Sequence, residues 1–585
     1  MPAAIRPDHV LPRSLGGLAE LLGLRPSGGQ PASPGQGRHD GAAVLTGVTH
    51  DSRSVRPGDL YAALPGNNVH GARFAVAAAA AGAVAVLTDP SGREAAIAAG
   101  LPVLVVADPR ARLGQVAAWI YGNASDRLLL VGVTGTAGKT TTSYLVESGF
   151  RAAGLRTGLI GGVETRIGGS VQPSTLTTPE ATDLQALLAA MAEQRVRAAA
   201  MEVSSHALAL GRVAGTHYDV AIFTNLSQDH LDLHASMDDY FAAKAELFTP
   251  KYARAGVVNI DDARGRELAA SAPIPITTFS AEGRRSADWR AVDVRGGADG
   301  STFRVIGPGG VEADAAVALA GEFNVANALA AIVALVESGI GLATAVAGVA
   351  ASQGPPGRLE RVDRGQDFTV LVDYAHKPGA VEAVLTVLRQ VTPGSLTIVL
   401  GCGGDRDRGK RPLMGAAAAR LADVAILTND NPRSEDPLAI LAEMLAGAIE
   451  VPQADRAQIV VQPDRAAAIG HAIGAAAKGD VVLIAGKGHE TGQYVAGAVI
   501  PFDDREVAAE ALVRRGASPD ATIARGPQTP GNQRAARAVS ASSGPDDGPP
   551  HDGGPEDRAP EDRAPEDSAP EDSAPELTDL FPEDA

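Results

Sequence analysis

An apolar run, Leu128 to Val131, passes into Gly132-Val-Thr-Gly-Thr-Ala-Gly-Lys-Thr-Thr-Thr142, a buried strand that turns through glycines into a helix bearing Lys and Thr. A continuous apolar strand is the kind covered on both faces of a parallel sheet, so the segment calls for an α/β domain. Gly135 and Gly138 let backbone N–H groups converge where any Cβ would stand in the way. Lys139 adds positive charge, Thr140 offers a hydroxyl to Mg²⁺, and the helix start favours an anion. The spacing, Gly-Thr-x-Gly-Lys-Thr, is narrower than the general phosphate-binding pattern, because Val133 stands five residues before Gly138. Gly135, Thr136, Ala137, Gly138, Lys139, Thr140 and Thr141 are therefore expected to cradle the triphosphate of ATP or GTP.

At 585 residues the chain exceeds what one hydrophobic core supports, and it divides by composition. Residues 1–42 read as a partly disordered Pro- and Gly-rich extension around a short helix at Leu15–Leu24. Short strands alternate with Ala-rich helical stretches over 43–126, which predicts a small α/β domain. The phosphate-binding loop opens a second α/β unit over 127–354. Gly354-Pro-Pro-Gly357 is a breaker and a hinge candidate. Continuous apolar runs beginning at Thr369, Leu396, Asp423 and Asp480 then predict a third domain, 355–516, built on a parallel sheet. Residues 517–585 are polar and Pro-rich, with Pro-Glu-Asp-Arg/Ser-Ala repeated from Pro555, and are expected to be disordered. Residues 551–585 carry 13 Asp and Glu against 2 Arg, so most of the net charge of −18 lies in the tail. Leu577, Leu580 and Phe581 there offer a short docking motif for a protein partner, or simply part of a solvated tail.

The rest of the composition narrows the class. Nothing resembles a continuous basic groove and aromatic residues are few, which speaks against a nucleic-acid binder. The single cysteine, Cys402, suits a reducing compartment. No signal peptide is evident, and the longest apolar stretch, Ala75 to Leu87, is Ala-rich and broken by Gly82. A cytoplasmic protein without membrane insertion is the expectation.

Several further clusters follow strand ends, where ligands gather in open α/β sheets. Glu202 in Met201-Glu-Val-Ser-Ser-His206 is placed either to hold Mg²⁺ opposite Thr140 or simply beside a helix start. Asn225, Asp229, His230, Asp232 and His234 crowd one loop; their spacing is wrong for zinc, and Mg²⁺ and phosphate are the better ligands. Tyr240, Phe241, Lys244, Leu247 and Phe248 share one helical face. Lys244 either snorkels to water or is a desolvated amine, nucleophilic enough to take up CO₂ as a carbamate that binds a second Mg²⁺. In the third domain, the flexible Gly401–Arg411 loop, with Arg406, Arg408 and Arg411, should meet Asp430-Asn431-Pro432-Arg433 and Gly486-Lys-Gly-His-Glu490 at one sheet edge. Arg forks suit carboxylates and acidic groups suit an ammonium, which together fit an amino acid with an extra carboxylate.

In this order the motifs resemble those of the Mur ligase family of ATP-dependent amide-forming enzymes, over about residues 43 to 515. The phosphate loop, Glu202-Val-Ser-Ser-His206, Asn225-Leu-Ser-Gln-Asp-His230, Gly321-Glu-Phe-Asn-Val-Ala-Asn327, Gly357-Arg358-Leu-Glu and Val372-Asp-Tyr-Ala-His376 carry the resemblance. Asp430 to Arg433 narrows it to members that add diaminopimelate. The resemblance implies a three-domain α/β architecture: a small UDP-sugar-binding domain, a central P-loop ATPase domain and a Rossmann-like C-terminal domain, with the disordered acidic tail as an addition. It implies that Lys139, Thr140 and Glu202 serve ATP and Mg²⁺, with His230 and Arg358 near the phosphates, Asn324 and Asn327 near adenine, and Asp373 near the ribose. Lys244 falls where the family carries a carbamylated lysine. Ser52, Asn67, Asn68 and Val69 match a uridine nucleotide site; Thr177, Thr178, Ser204 and Arg212 match positions that hold the muramoyl peptide. Arg406, Asp430, Asn431, Pro432, Arg433, Gly486 and Glu490 match the diaminopimelate pocket. Leu176 stands where some relatives carry Asn, and Leu210 where some carry Gln.

The implied activity is ATP-dependent addition of diaminopimelate to the D-glutamyl γ-carboxylate of UDP-N-acetylmuramoyl-L-alanyl-D-glutamate, through an acyl phosphate, in cell-wall precursor synthesis. The alternatives are a lysine-adding ligase of the same fold, which Arg433 disfavours, and a P-loop nucleotide switch that forms no bond.

Overall fold

The structure, a computed structural model, describes residues 5–24, 43–66, 68–174, 176–230, 233–297 and 300–516. The expectations for the tail, for most of residues 1–42, and for Asn67 and Asp232 lie outside the described residues.

The strand before the phosphate loop, Leu129–Thr134, lies inside an 11-stranded sheet, flanked by Ala198–Glu202 and Tyr218–Phe223. The sheet is parallel from Thr157–Ile160 across to Trp289–Gly297 and ends in antiparallel strands on both sides. Alternate residues of the central strand enter opposite cores. Val131 and Val133 pack with Tyr144 and Phe150 of helix Lys139–Ala152 and with helix Phe323–Glu337. Leu130 packs on the other face with helix Ala181–Glu193. Burial on both faces is why these strands read as unbroken apolar runs rather than alternating ones.

The core on Leu130's face does not stop at that sheet. It runs on through Val48, Leu60 and Leu87 of a 4-stranded parallel sheet formed by Gly47–Thr49, Asp59–Ala63, Ala85–Thr88 and Val103–Val105. Leu15 and Leu18 join it from helix Leu15–Leu21, and Arg13–Ser14 pairs with Val44–Leu45, so this part of the N-terminal extension is folded onto the first domain. The third sheet is 6-stranded and parallel apart from its edge strand Glu360–Arg361, with Thr369–Asp373, Val481–Ala485 and Leu396–Leu400 at its centre. Its two faces carry separate cores. Helices Arg465–Ala475 and Asp504–Gly516 on one face are tied by a fully buried pair, Arg465 to Asp504, at 2.7 Å through both oxygens. Among the described residues no helix is long and apolar enough to cross a membrane.

Candidate active site

The phosphate loop is built as its residues demand. Gly138 has φ 85°, and a Cβ there would stand 2.3 Å from Asn327 Oδ1. The loop is braced from the neighbouring strand end: Ala137 N donates to Asn225 Oδ1 at 2.9 Å and Thr136 N to Asn225 O at 2.9 Å. Asn225, grouped by sequence with the Mg²⁺ and phosphate ligands, thus spends its side chain on the loop backbone. Thr136 Oγ1 meets Tyr240 OH at 3.1 Å and accepts from Ser227 N at 3.0 Å.

Two lysines converge on one carbonyl. Lys139 Nζ donates to Gly135 O and Thr136 O, each at 3.0 Å, and Lys244 Nζ donates to Gly135 O at 2.8 Å. Lys244 is 1% exposed, which removes the snorkelling alternative. Its Nζ sits 4.4 Å from the centre of the Tyr240 ring. Burial, then repulsion from Lys139, pushes its pKa down to about 6, so the amine is neutral at pH 7. Burial lowers the Lys139 pKa too; Glu202 and Asp229 oppose the shift, while Arg358 and Lys377 add to it.

Glu202 is 2% exposed; its Oε2 accepts from Thr140 Oγ1 at 3.0 Å and its Oε1 from Gly162 N at 2.8 Å. A hydroxyl and a carboxylate at a phosphate loop fit Mg²⁺, which takes one or two carboxylates and completes its shell with phosphates and water. Among the described residues no group of three or more His, Cys, Asp and Glu could hold a metal, so a cage made by protein alone is not on offer. His230, at the left-handed φ of 54°, stacks edge-on to His206 with centroids 4.7 Å apart, and burial lowers its pKa. Beside Glu202, Thr178 Oγ1 donates to Glu202 O at 2.9 Å and accepts from Ser204 N at 3.1 Å. Ser204 caps helix Ser205–Ala209, and Arg212 pairs with Glu180 at 2.8 Å. Thr177 precedes this cluster. Ser52 begins a short 3₁₀ turn in the first domain, and Asn68 and Val69 lie in an exposed turn of that domain.

Next to the loop a cavity of about 470 Å³ is lined by Gly138, Asn225, Asp261, Phe279, Phe323 and Asn327, among others. Asn327 Nδ2 donates to Asn324 Oδ1 at 2.9 Å, and Asn324 Nδ2 to Ala320 O at 2.7 Å, so Asn324 orients Asn327 from behind. Sequence reasoning missed Asp261, Phe279 and Glu282 here. They cluster only because parallel strands bring distant segments side by side.

A second cavity, about 460 Å³, gathers Arg406, Asp430, Asn431, Arg433, Gly486 and Glu490 as the sequence predicts. Pro432 is not among its lining residues. Lys410, from the loop that the sequence places here, lines it as well, as do His376 and Lys377, whose signal in the sequence is their position after a strand end. The 401–411 loop is less free than expected. Lys410 and Arg411 begin helix Lys410–Leu421, and Arg411 turns inward to Glu435 at 2.7 Å and Glu443 at 3.0 Å. Arg408 pairs with the same two carboxylates at 3.4 and 3.3 Å, leaving Arg406 for the cavity. Behind the cavity, fully buried Lys487 donates to Asn431 Oδ1 at 2.9 Å, Glu490 Oε2 at 3.1 Å and Gly492 O at 2.7 Å. Arg433 adopts a left-handed φ of 51°, held by hydrogen bonds between its backbone and the hairpin Gly492–Val495/Ala498–Pro501.

Arg358, whose charge reaches Lys139, holds its guanidinium 4.8 Å from the ring centre of Tyr374, a residue that lines the second cavity. Asp373 is buried, which raises its pKa, and accepts from Leu359 N and Ala375 N, each at 2.8 Å. It therefore fixes the turn that carries Arg358.

Three stretches match known domains: the Mur ligase family catalytic domain over 44–121, the Mur ligase middle domain over 133–335 and the Mur ligase glutamate ligase domain over 357–488. A UDP-N-acetylmuramoyl-L-alanyl-D-glutamate–2,6-diaminopimelate ligase of Streptomyces coelicolor is 59% identical over 87% of this chain and 98% of its own length. A UDP-N-acetylmuramyl-tripeptide synthetase of Leifsonia xyli is 47% identical over 88% of this chain and 99% of its own. Among solved structures, a UDP-N-acetylmuramoyl-L-alanyl-D-glutamate–2,6-diaminopimelate ligase is 34% identical with a TM-score of 0.61, covering 81% of this chain and 96% of that one. With the phosphate loop, the three sheets and the relatives in agreement, the chain belongs to the Mur ligase family.

Proposed function

We propose that the protein uses ATP to join diaminopimelate, the meso isomer by preference, to the D-glutamyl γ-carboxylate of UDP-N-acetylmuramoyl-L-alanyl-D-glutamate in the cytoplasm. The observation that carries this reading is the 460 Å³ cavity, where Arg406 and Arg433 stand with Asp430 and Glu490. That mixture suits a substrate with two carboxylates and two ammonium groups. The relatives named for the same reaction support it.

A carboxylate resists attack because it is already anionic and oxide is a hopeless leaving group. The γ-phosphoryl of ATP passes to the carboxylate oxygen, giving an acyl phosphate and ADP. The free amine then attacks the acyl carbon, phosphate leaves, and an amide remains. Gly135 to Thr141 hold the phosphates, while Lys139 and Arg358 balance the charge gathering on the phosphoryl oxygens. Asn327, oriented by Asn324, lies toward the adenine, and Asp373 toward the ribose. Thr140, Glu202, His230 and carbamylated Lys244 would hold Mg²⁺, whose chemistry is to polarise phosphoryl oxygens. Ser52, Asn67, Asn68 and Val69 take the uridine nucleotide, and Thr177, Thr178, Ser204 and Arg212 the peptide. Gly354-Pro-Pro-Gly357 is the hinge about which the third domain closes and excludes water.

Arg433→Ala is the test. It should raise the KM for diaminopimelate about 100-fold while the KM for ATP stays within about twofold, as expected for loss of a charged hydrogen bond. Equal losses for both substrates would sink the assignment.

A further inference from the structure

Lys377 belongs to the C-terminal domain and lines the amino-acid cavity, yet its Nζ lies 3.5 Å from Asp229 Oδ1 in the loop beside the phosphate site. Both ends of this contact are firmly mounted. Lys377 precedes Pro378, which restricts it to extended backbone, and Lys410 Nζ donates to the adjacent His376 O at 3.0 Å. Asp229 Oδ1 accepts from His230 N at 2.9 Å, and Leu226 N earlier in the loop donates to Asp262 Oδ2 at 3.0 Å. The same loop braces Thr136 and Ala137 through Ser227 and Asn225.

We propose that the Lys377–Asp229 pair is a closure latch, a positioning contact that seats the amino-acid-binding domain on the phosphate loop and keeps water from the acyl phosphate. The inference rests on the ligase reading above. Lys377 is largely exposed, and exposed ion pairs are weak. Weakness suits a contact that must break in every cycle to release product. With the latch shut, the amine takes the acyl group, so one ATP yields one ADP, one phosphate and one amide. With it loose, water attacks the acyl carbon instead, the carboxylate returns, and ATP is spent as ADP and phosphate with no amide formed.

The test counts ADP against amide product in the full-length protein supplied with UDP-N-acetylmuramoyl-L-alanyl-D-glutamate, ATP, Mg²⁺ and diaminopimelate. The unsubstituted protein should give a ratio of about 1, and Lys377→Met and Asp229→Asn each a ratio of about 3 or more. The charge swap Lys377→Asp with Asp229→Lys should bring the ratio back below about 1.5. A role in stability alone would lower ADP and amide together and leave the ratio at 1, which overturns the latch. A swap that leaves the ratio as high as the single variants overturns the pairing. Absence of amine-dependent ADP release from the unsubstituted protein would overturn the ligase reading and the latch with it.

Discussion

At Gly138 the backbone needs φ 85°, and the site of a Cβ is already occupied by Asn327 Oδ1 at 2.3 Å. Gly138→Ala must therefore shift either the phosphate loop or the asparagine that faces the nucleotide cavity. A displacement of about 1 Å in a catalytic array costs on the order of 100-fold in rate. We expect turnover to fall by about that much, with weakened ATP binding by calorimetry; wild-type affinity would contradict the crowding. Lys244 supplies a second residue-scale prediction. With its pKa at about 6, the amine is neutral above that pH and protonated below it, and only the neutral amine adds CO₂. The carbamate signal from ¹³C-bicarbonate should appear at pH 7.5 and fade as pH drops through 6. It should be missing in Lys244→Ala, whose activity a short carboxylic acid should partly restore. A signal unchanged between pH 5 and 7.5 would refute the desolvated amine.

The elements that hold the amino-acid cavity are coupled through one buried ammonium. Lys487 joins the end of strand Val481–Ala485 to the Asp430–Arg433 turn and the hairpin beyond it. Lys487→Met leaves Glu490 and Asn431 without their shared donor, at about 3 kcal/mol. Diaminopimelate KM should rise about 100-fold with ATP KM nearly unchanged; a matching rise for ATP would mean that the whole domain had loosened. Arg465→Met strands Asp504 between two helices and should cost about 3–5 kcal/mol, read as a lowered Tm. A Tm within a degree of wild type would contradict it. The parallel strands of this sheet and the loops at their ends were legible in sequence because both faces are buried and glycines mark the exits. The antiparallel strands at the two ends of the central sheet were not, since Glu164–Ile167 and Gly300–Ile306 alternate buried and more exposed residues and carry no continuous apolar run. Nor did periodicity reveal that Arg411 turns inward, because its carboxylate partners come from a turn and a helix further along the chain.

Across the whole molecule, the first domain shares one core with the central sheet, while the third sheet packs two others, into which the central domain sends Ala320. The first two domains should therefore move as one body and the third as another. Gly357 packs so closely on Gly488 and His489 that a Cβ would meet His489 N at 2.1 Å, so that end of the linker travels with the third domain. The pivot is thereby narrowed to Gly354–Pro356. Closure of this kind matters only if two substrates held by different domains are joined. The most direct test is ADP release with UDP-N-acetylmuramoyl-L-alanyl-D-glutamate and, in parallel, meso-diaminopimelate, LL-diaminopimelate or L-lysine. Turnover is expected with meso-diaminopimelate and little with lysine, which has no distal carboxylate for Arg433 to engage. Turnover with lysine alone would contradict the reading of the pocket, and no amine-dependent release would leave a nucleotide switch in its place.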